Sequence, residues 1–175
     1  VTVVHRLGTV TGERIVAVLD TSVLYGSTSR RALIEAVRQD RFDGVWSPHI
    51  IGELYRVLTI RWLRKNGFDA VSLGDLSRSA KDMMDVLLAA LRLVDTGPQA
   101  NESPILLDDV DDFHLLRAAR LAEASHVVSR NTRDFPGANH QGRHVFENVE
   151  FIEYEPFLRL VGTDEPTLIA CAMRT

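Results

Sequence analysis

Carboxylates are the residues of this chain best suited by type and spacing to do chemistry. Asp20 ends the apolar, β-branched run Ile15-Val16-Ala17-Val18-Leu19 and is followed by two hydroxyls, Thr21 and Ser22. An acid carried by a buried strand to the edge of a sheet can hold a metal ion or move a proton. Further on, Asp108-Asp109-Val110-Asp111-Asp112 sets four acids in five positions. Asp111 suits the N-cap of a following helix and Asp112 its first turn, where the helix dipole favours ionised carboxylates. Capping needs only one acid. The excess points to a cation, with a solvated acidic loop as the alternative. Glu53 sits beside Gly52, among Ile50, Ile51, Leu54, Val57 and Leu58, which define an apolar helical face. Taken alone, it reads as an exposed acid paired with Arg56 at i+3, worth about 0.2–0.5 kcal/mol. A last polar run, Ser129-Arg130-Asn131-Thr132-Arg133-Asp134, follows a second short β-branched segment.

These groups act together only if the elements carrying them meet. The patterning predicts a strand over 15–19, a helix over 30–38 and a strand over 44–47. It then predicts a helix over 49–65, opened by Pro48 and stopped at Asn66-Gly67. A second long helix covers 73–91, a short edge strand lies in 92–95 and a loop in 97–104. A helix over 111–122, a strand over 125–129, a strand over 149–154 and one or two short helices complete the chain. Strands alternating with helices predict an α/β domain with a mainly parallel sheet. In such sheets ligands bind beyond the carboxyl ends of the strands, where the strand order reverses. If strands 15–19 and 125–129 are neighbours, Asp20, Ser129, Asn131 and Asp134 converge. Residues 1–14 are expected to be a flexible arm and 15–175 a single domain.

Composition narrows the choices. At 175 residues, 45% hydrophobic and 25% charged, the chain suits one globular domain. No apolar run approaches the ~20 residues that span a bilayer, and the first residues lack the pattern of a secretion signal. No membrane association and a cytoplasmic location are expected, and the single Cys171 fits a reducing compartment. The net charge of −4 argues against a general nucleic-acid coat but allows a local basic patch. Lys65 and Lys81 are the only lysines, and neither sits in a Gly-rich phosphate loop, which argues against a P-loop enzyme.

Four segments in order carry a resemblance. Leu19-Asp20-Thr21-Ser22-Val23-Leu24, Gly52-Glu53-Leu54, Asp109-Val110-Asp111-Asp112-Phe113-His114 and Val128-Ser129-Arg130-Asn131-Thr132-Arg133-Asp134-Phe135-Pro136 resemble the PIN-domain family. They look closest to its VapC-type toxin ribonucleases, over roughly residues 15–160. The resemblance implies a three-layer α/β/α sandwich around a mainly parallel sheet of about five strands. It implies acids that bind Mg²⁺ or Mn²⁺ and cleave RNA, a role it carries onto Asp20, Glu53 and Asp112. The fourth acidic position departs from the commonest pattern: Asn131 stands where many members have Asp. The Asn-x-x-Asp-Phe-Pro variant leaves Asp134 and Asn131 competing for it. Ser22 and Ser129 look like hydroxyls that orient carboxylates, and Thr21 reads as further support for Asp20. The resemblance also implies an antitoxin protein that blocks the site, and a homodimer.

RNA must be drawn to an acidic centre by cations. Arg30, Arg31, Arg130 and Arg133 are expected near one sheet edge, either contacting phosphates or simply solvated. Trp46 and Trp62 have the rings to stack bases, but packing is the simpler reading. Leu58, Trp62, Leu63 and the segment 157–173 suit either an interface or the core. His114 reads as structural. His140 and His144 have i, i+4 spacing, but Gly137 and Gly142 argue against a helix and so against a zinc pair. A dehalogenase-type phosphatase would need Asp at position 22, which is serine. A receiver domain would need a lysine at a late strand end. The rival from another class is a catalytically weak PIN-like module that binds RNA or protein.

Overall fold

The sheet is organised around β1 (Val16–Leu19), whose residues Ala17, Val18 and Leu19 are all 0% exposed. Successive strand residues face opposite sides, so full burial of all three means that the sheet is covered on both faces. That is why this strand reads as an unbroken apolar run. Burying one such Val or Leu contributes about 1.5–3 kcal/mol. This computed structural model describes residues 14–97, 113–132 and 135–174. Asp111, Asp112, Arg133 and Asp134 lie outside the described residues, as do most of the arm 1–14 and the acidic run.

Two helices follow β1. The short α1 (Thr21–Leu24) starts directly after Asp20, and α2 is Ser27–Arg38. Helix therefore begins well before the expected residue 30, because Ser29 Oγ bonds the Val23 carbonyl at 2.7 Å and stabilises the turn between the two. Next come β2 (Asp43–Trp46), α3 (Pro48–Asn66), α4 (Ala70–Ala90) and β3 (Arg92–Leu93). Ser47 caps α3, accepting from the Ile50 amide, and Pro48 occupies its first turn. At the other end Gly67 takes φ +88°, a conformation that side chains disfavour. The second half holds α5 (Phe113–Ala122), β4 (His126–Ser129), β5 (His144–Phe146), β6 (Val149–Glu153), α6 (Tyr154–Leu160) and α7 (Glu165–Ala172).

The strand order is β3-β2-β1-β4-β6-β5, parallel except for β5 against β6. The sheet thus has six strands rather than about five. β5 escapes sequence reading because it has three residues, and its turn uses Glu147 and Asn148 at positive φ in place of glycine. It places His144 on a strand, with Nδ1 at 2.6 Å from the Pro136 carbonyl, so no helix pairs it with His140. From β1 the chain moves to β2 on one side and, later, to β4 on the other. The order reverses between β1 and β4, the crevice where α/β sheets bind ligands. In the C-terminal segment Phe157, Leu158, Val161 and Leu168 are buried in the core, whereas Leu160 and Met173 are exposed. Leu58 also packs against the core, and Trp46 is fully buried.

Candidate active site

Asp20 stands at the reversal point. Its backbone N–H donates to the Val128 carbonyl at 3.0 Å, which ties the end of β1 to β4. Its φ of −66° and ψ of 153° are still extended, and the chain turns into α1 immediately after it. The carboxylate is 9% exposed. Its Oδ2 accepts from Ser22 Oγ at 2.5 Å and from Ser129 Oγ at 2.6 Å, distances typical of charge-assisted bonds.

Each of those hydroxyls is held by a backbone amide. Arg130 N–H donates to Ser22 Oγ and Asn131 N–H to Ser129 Oγ, both at 2.9 Å. Two relays of the same form, amide to hydroxyl to carboxylate, therefore end on one oxygen. The hydroxyl oxygens lie 3.1 Å apart. With both hydrogens turned toward Asp20, that closeness follows from sharing an acceptor. Oδ1 is the oxygen not spent on the pair.

Thr21 does something else. Its Oγ1 donates to Glu53 Oε2 at 2.7 Å, joining α1 to α3. It supports the second acid, not Asp20. The three consecutive residues Asp20, Thr21 and Ser22 thus supply an acid, a bond to a distant acid and a bond that orients the first.

Asp20, Ser22, Glu53 and Asn131 line one open cleft of about 660 Å³. Arg56, Gly52, His49 and His114 line it too. A Cβ on Gly52 would meet nothing within 4 Å, so this glycine leaves the cleft wall low. His49 and His114 stack with ring centroids 4.0 Å apart. His49 was not singled out by sequence. The available signal was its place three residues after a strand end, Trp46, on the same edge of the sheet as Asp20.

Of the expected cations, Arg30 and Arg130 line one further cleft, and Arg31 stands apart from it. Arg30 donates to the carbonyls of Leu24 and Tyr25, at 2.8 and 3.2 Å. Burial, together with neighbouring Arg31, lowers its pKa from the ordinary value. Arg130 lies over the Tyr154 ring, 4.6 Å from its centroid. Burial and the hydrogen bond from its hydroxyl to Glu165 push Tyr154 well above the ordinary range. Arg31 is exposed on α2, apart from the residues that line the cleft.

Among the described residues no three His, Cys, Asp or Glu groups are close enough to form a complete metal cage. Two carboxylates on one open cleft nevertheless fit Mg²⁺, which keeps several waters and typically takes one or two carboxylates plus substrate phosphates. Both side chains offer hard oxygen donors, as Mg²⁺ and Mn²⁺ prefer. Among the described residues no helix is long and apolar enough to cross a membrane.

A family model described as a PIN domain matches residues 16–133. The match covers β1, Asp20, Glu53, α5 and the end of β4. No curated protein matches the chain. Among solved structures, the crystal structure of PAE2754 from Pyrobaculum aerophilum aligns over 84% of this chain and 89% of its own, with 13% identity and a TM-score of 0.51. That likeness is one of fold.

Proposed function

This chain belongs to the PIN-domain family, and on that premise we propose that it is a Mg²⁺- or Mn²⁺-dependent endoribonuclease, the toxin component of a toxin–antitoxin pair. PIN domains are generally nucleases that use divalent ions. The observation that carries the reading here is the convergence of Asp20 and Glu53 on one cleft, with Asp20 held by two hydroxyls. Asp20 and Glu53 would hold the ion, together with Asp112 and, at the fourth position, Asp134 or Asn131. Bound there, the ion would lower the pKa of a water and screen the phosphate charge.

The protein's own groups do the positioning. Ser22 and Ser129 hold Asp20 in one rotamer, so the carboxylate need not reorganise when substrate arrives. Thr21 does the same for Glu53. Arg56 brings positive charge to the cleft wall, and the Asn131 amide has N–H groups able to donate to a phosphate oxygen. An antitoxin protein would act by covering this cleft, and pairing of two copies and a cytoplasmic location complete the proposal. A short antitoxin-like gene beside this one would support the toxin assignment.

The neutral Asn131 on the cleft favours one second reading, a catalytically weak module that binds RNA or protein. Cleavage of single-stranded RNA with Mn²⁺ by the wild type and Asp20→Asn decides between them. Metal-dependent cleavage lost in the variant supports the enzyme, and equal inertness of both proteins sinks it.

A further inference from the structure

The acidic cleft does not end at Ser22 and Tyr25. Those two residues also line a second cleft, of about 870 Å³, that runs beside the outer half of α3. Four cations line it: Arg30, Arg61, Lys65 and Arg130. Glu165 is the one carboxylate among its described lining residues. The half-buried Trp62 adds an indole.

The guanidinium groups are held in place by partners that leave most of their charge intact. Arg61 lies 4.9 Å from the centroid of the Tyr25 ring, and Arg30 is fixed by backbone carbonyls. Arg130 lies on Tyr154, and its contact to Glu155 is long, at 3.7 Å, and exposed to solvent. A row of cations beside a flat ring, continuous with an acidic centre, matches a single nucleic-acid strand. Its phosphates would meet the cations and an unpaired base would meet the indole. A duplex hides its base faces in the stack, and an acidic peptide offers the indole no flat partner.

We propose that this second cleft is the subsite that grips single-stranded RNA, holding the segment next to the bond presented to Asp20 and Glu53. It rests on the reading of the acidic cleft as an RNA-cleaving site. The test is titration of the full chain with mixed-sequence single-stranded RNA in chelator, where no cleavage occurs, read by tryptophan emission. The chain has two tryptophans, and Trp46 is fully buried. The RNA should quench emission, and Trp62→Phe should abolish the quenching. The double variant Arg61→Ala/Lys65→Ala should bind more weakly. Its slope of log affinity against log salt should fall by about 1.4, at about 0.7 per phosphate contact on a single strand. Unchanged affinity and slope in that variant would overturn the subsite. So would quenching by poly-glutamate but not by RNA, which would give the cleft to an acidic protein segment. If the binding changes hold while no RNA is cleaved with Mg²⁺ or Mn²⁺, the subsite stands and the nuclease reading falls. Cleavage with unchanged binding in the variants gives the reverse.

Discussion

The seam between β1 and β4 and the outer length of α3 carry their polar groups under opposite conditions. At the seam, Asp20 and Ser129 are nearly excluded from water, and every hydroxyl near Asp20 is committed to a bond. Along α3, only Ile50 and Leu54 are fully buried in 19 residues, and the cations stand in solvent. The contrast follows from what each region is proposed to do. Chemistry on a phosphate needs a carboxylate fixed to within a fraction of an ångström. Capture of a flexible polymer needs charge and a flat ring, and tolerates side chains that adjust.

The sharpest way to break the contrast is Asp20→Asn. Losing a positioning partner alone costs 10–100-fold at such sites, so losing the acid itself should lower RNA cleavage by more than about 10²-fold. A variant retaining near-wild-type rates would show that the seam is not special. Stability should divide along α3 itself. Leu54→Ala, in the core, should cost about 2–5 kcal/mol in urea unfolding. Ile60→Ala, on the exposed side of the same helix, should fall within about 0.5 kcal/mol. Equal costs would mean that the outer half is packed as tightly as the inner.

Metal should act where Asp20 and Glu53 meet and not along the outer length of α3. With Mn²⁺ at about 100 times its Kd the fold should gain about 2.7 kcal/mol, seen as a rise in Tm of roughly 5–10 °C. Asp20→Asn should remove that rise. A melt that ignores Mn²⁺ counts against the site. Ser129→Ala leaves the acid but removes one of its two hydroxyl donors, and cleavage should drop about 10–100-fold with the fold intact. An unaffected rate would mean that Ser22 alone orients Asp20.

The smallest effect concerns pH. Burial lowers the pKa of His126 from its ordinary 6.5; Glu150 opposes the shift and Arg143 adds to it. The unfolded chain therefore takes up the proton first as pH falls. The stability from neutral His126 is complete above about 6.5 and declines as pH drops below that value toward the folded pKa. His126→Gln should flatten that decline in a Tm-against-pH series, and an unchanged slope would assign it to another group.

Much of the fold was legible because its signals are local. Pro48 opens α3 and Gly67 closes it, as the chemistry of helix ends requires. The long α4 follows from helical periodicity, and the strand at 126–129 from a short β-branched run bounded by polar residues. The start of helix at Thr21 was not legible, since it depends on Ser29 reaching back to Val23. Nor was β5, whose only support is pairing with β6.

At the site the division is sharper. A fully apolar run ending in Asp20 determined, by itself, that a buried strand delivers an acid to a sheet edge. The helical setting of Glu53 beside a glycine was equally readable. Only the tertiary structure decided that Thr21 bonds Glu53, 32 residues away, and that Ser129 shares Asp20 from 109 residues away. It alone brought Arg30, Arg61, Lys65 and Arg130 to one cleft. Periodicity reports which face of an element meets the core. Which side chain a polar group finds there depends on strand order and on distances across the sheet, and no local pattern encodes those.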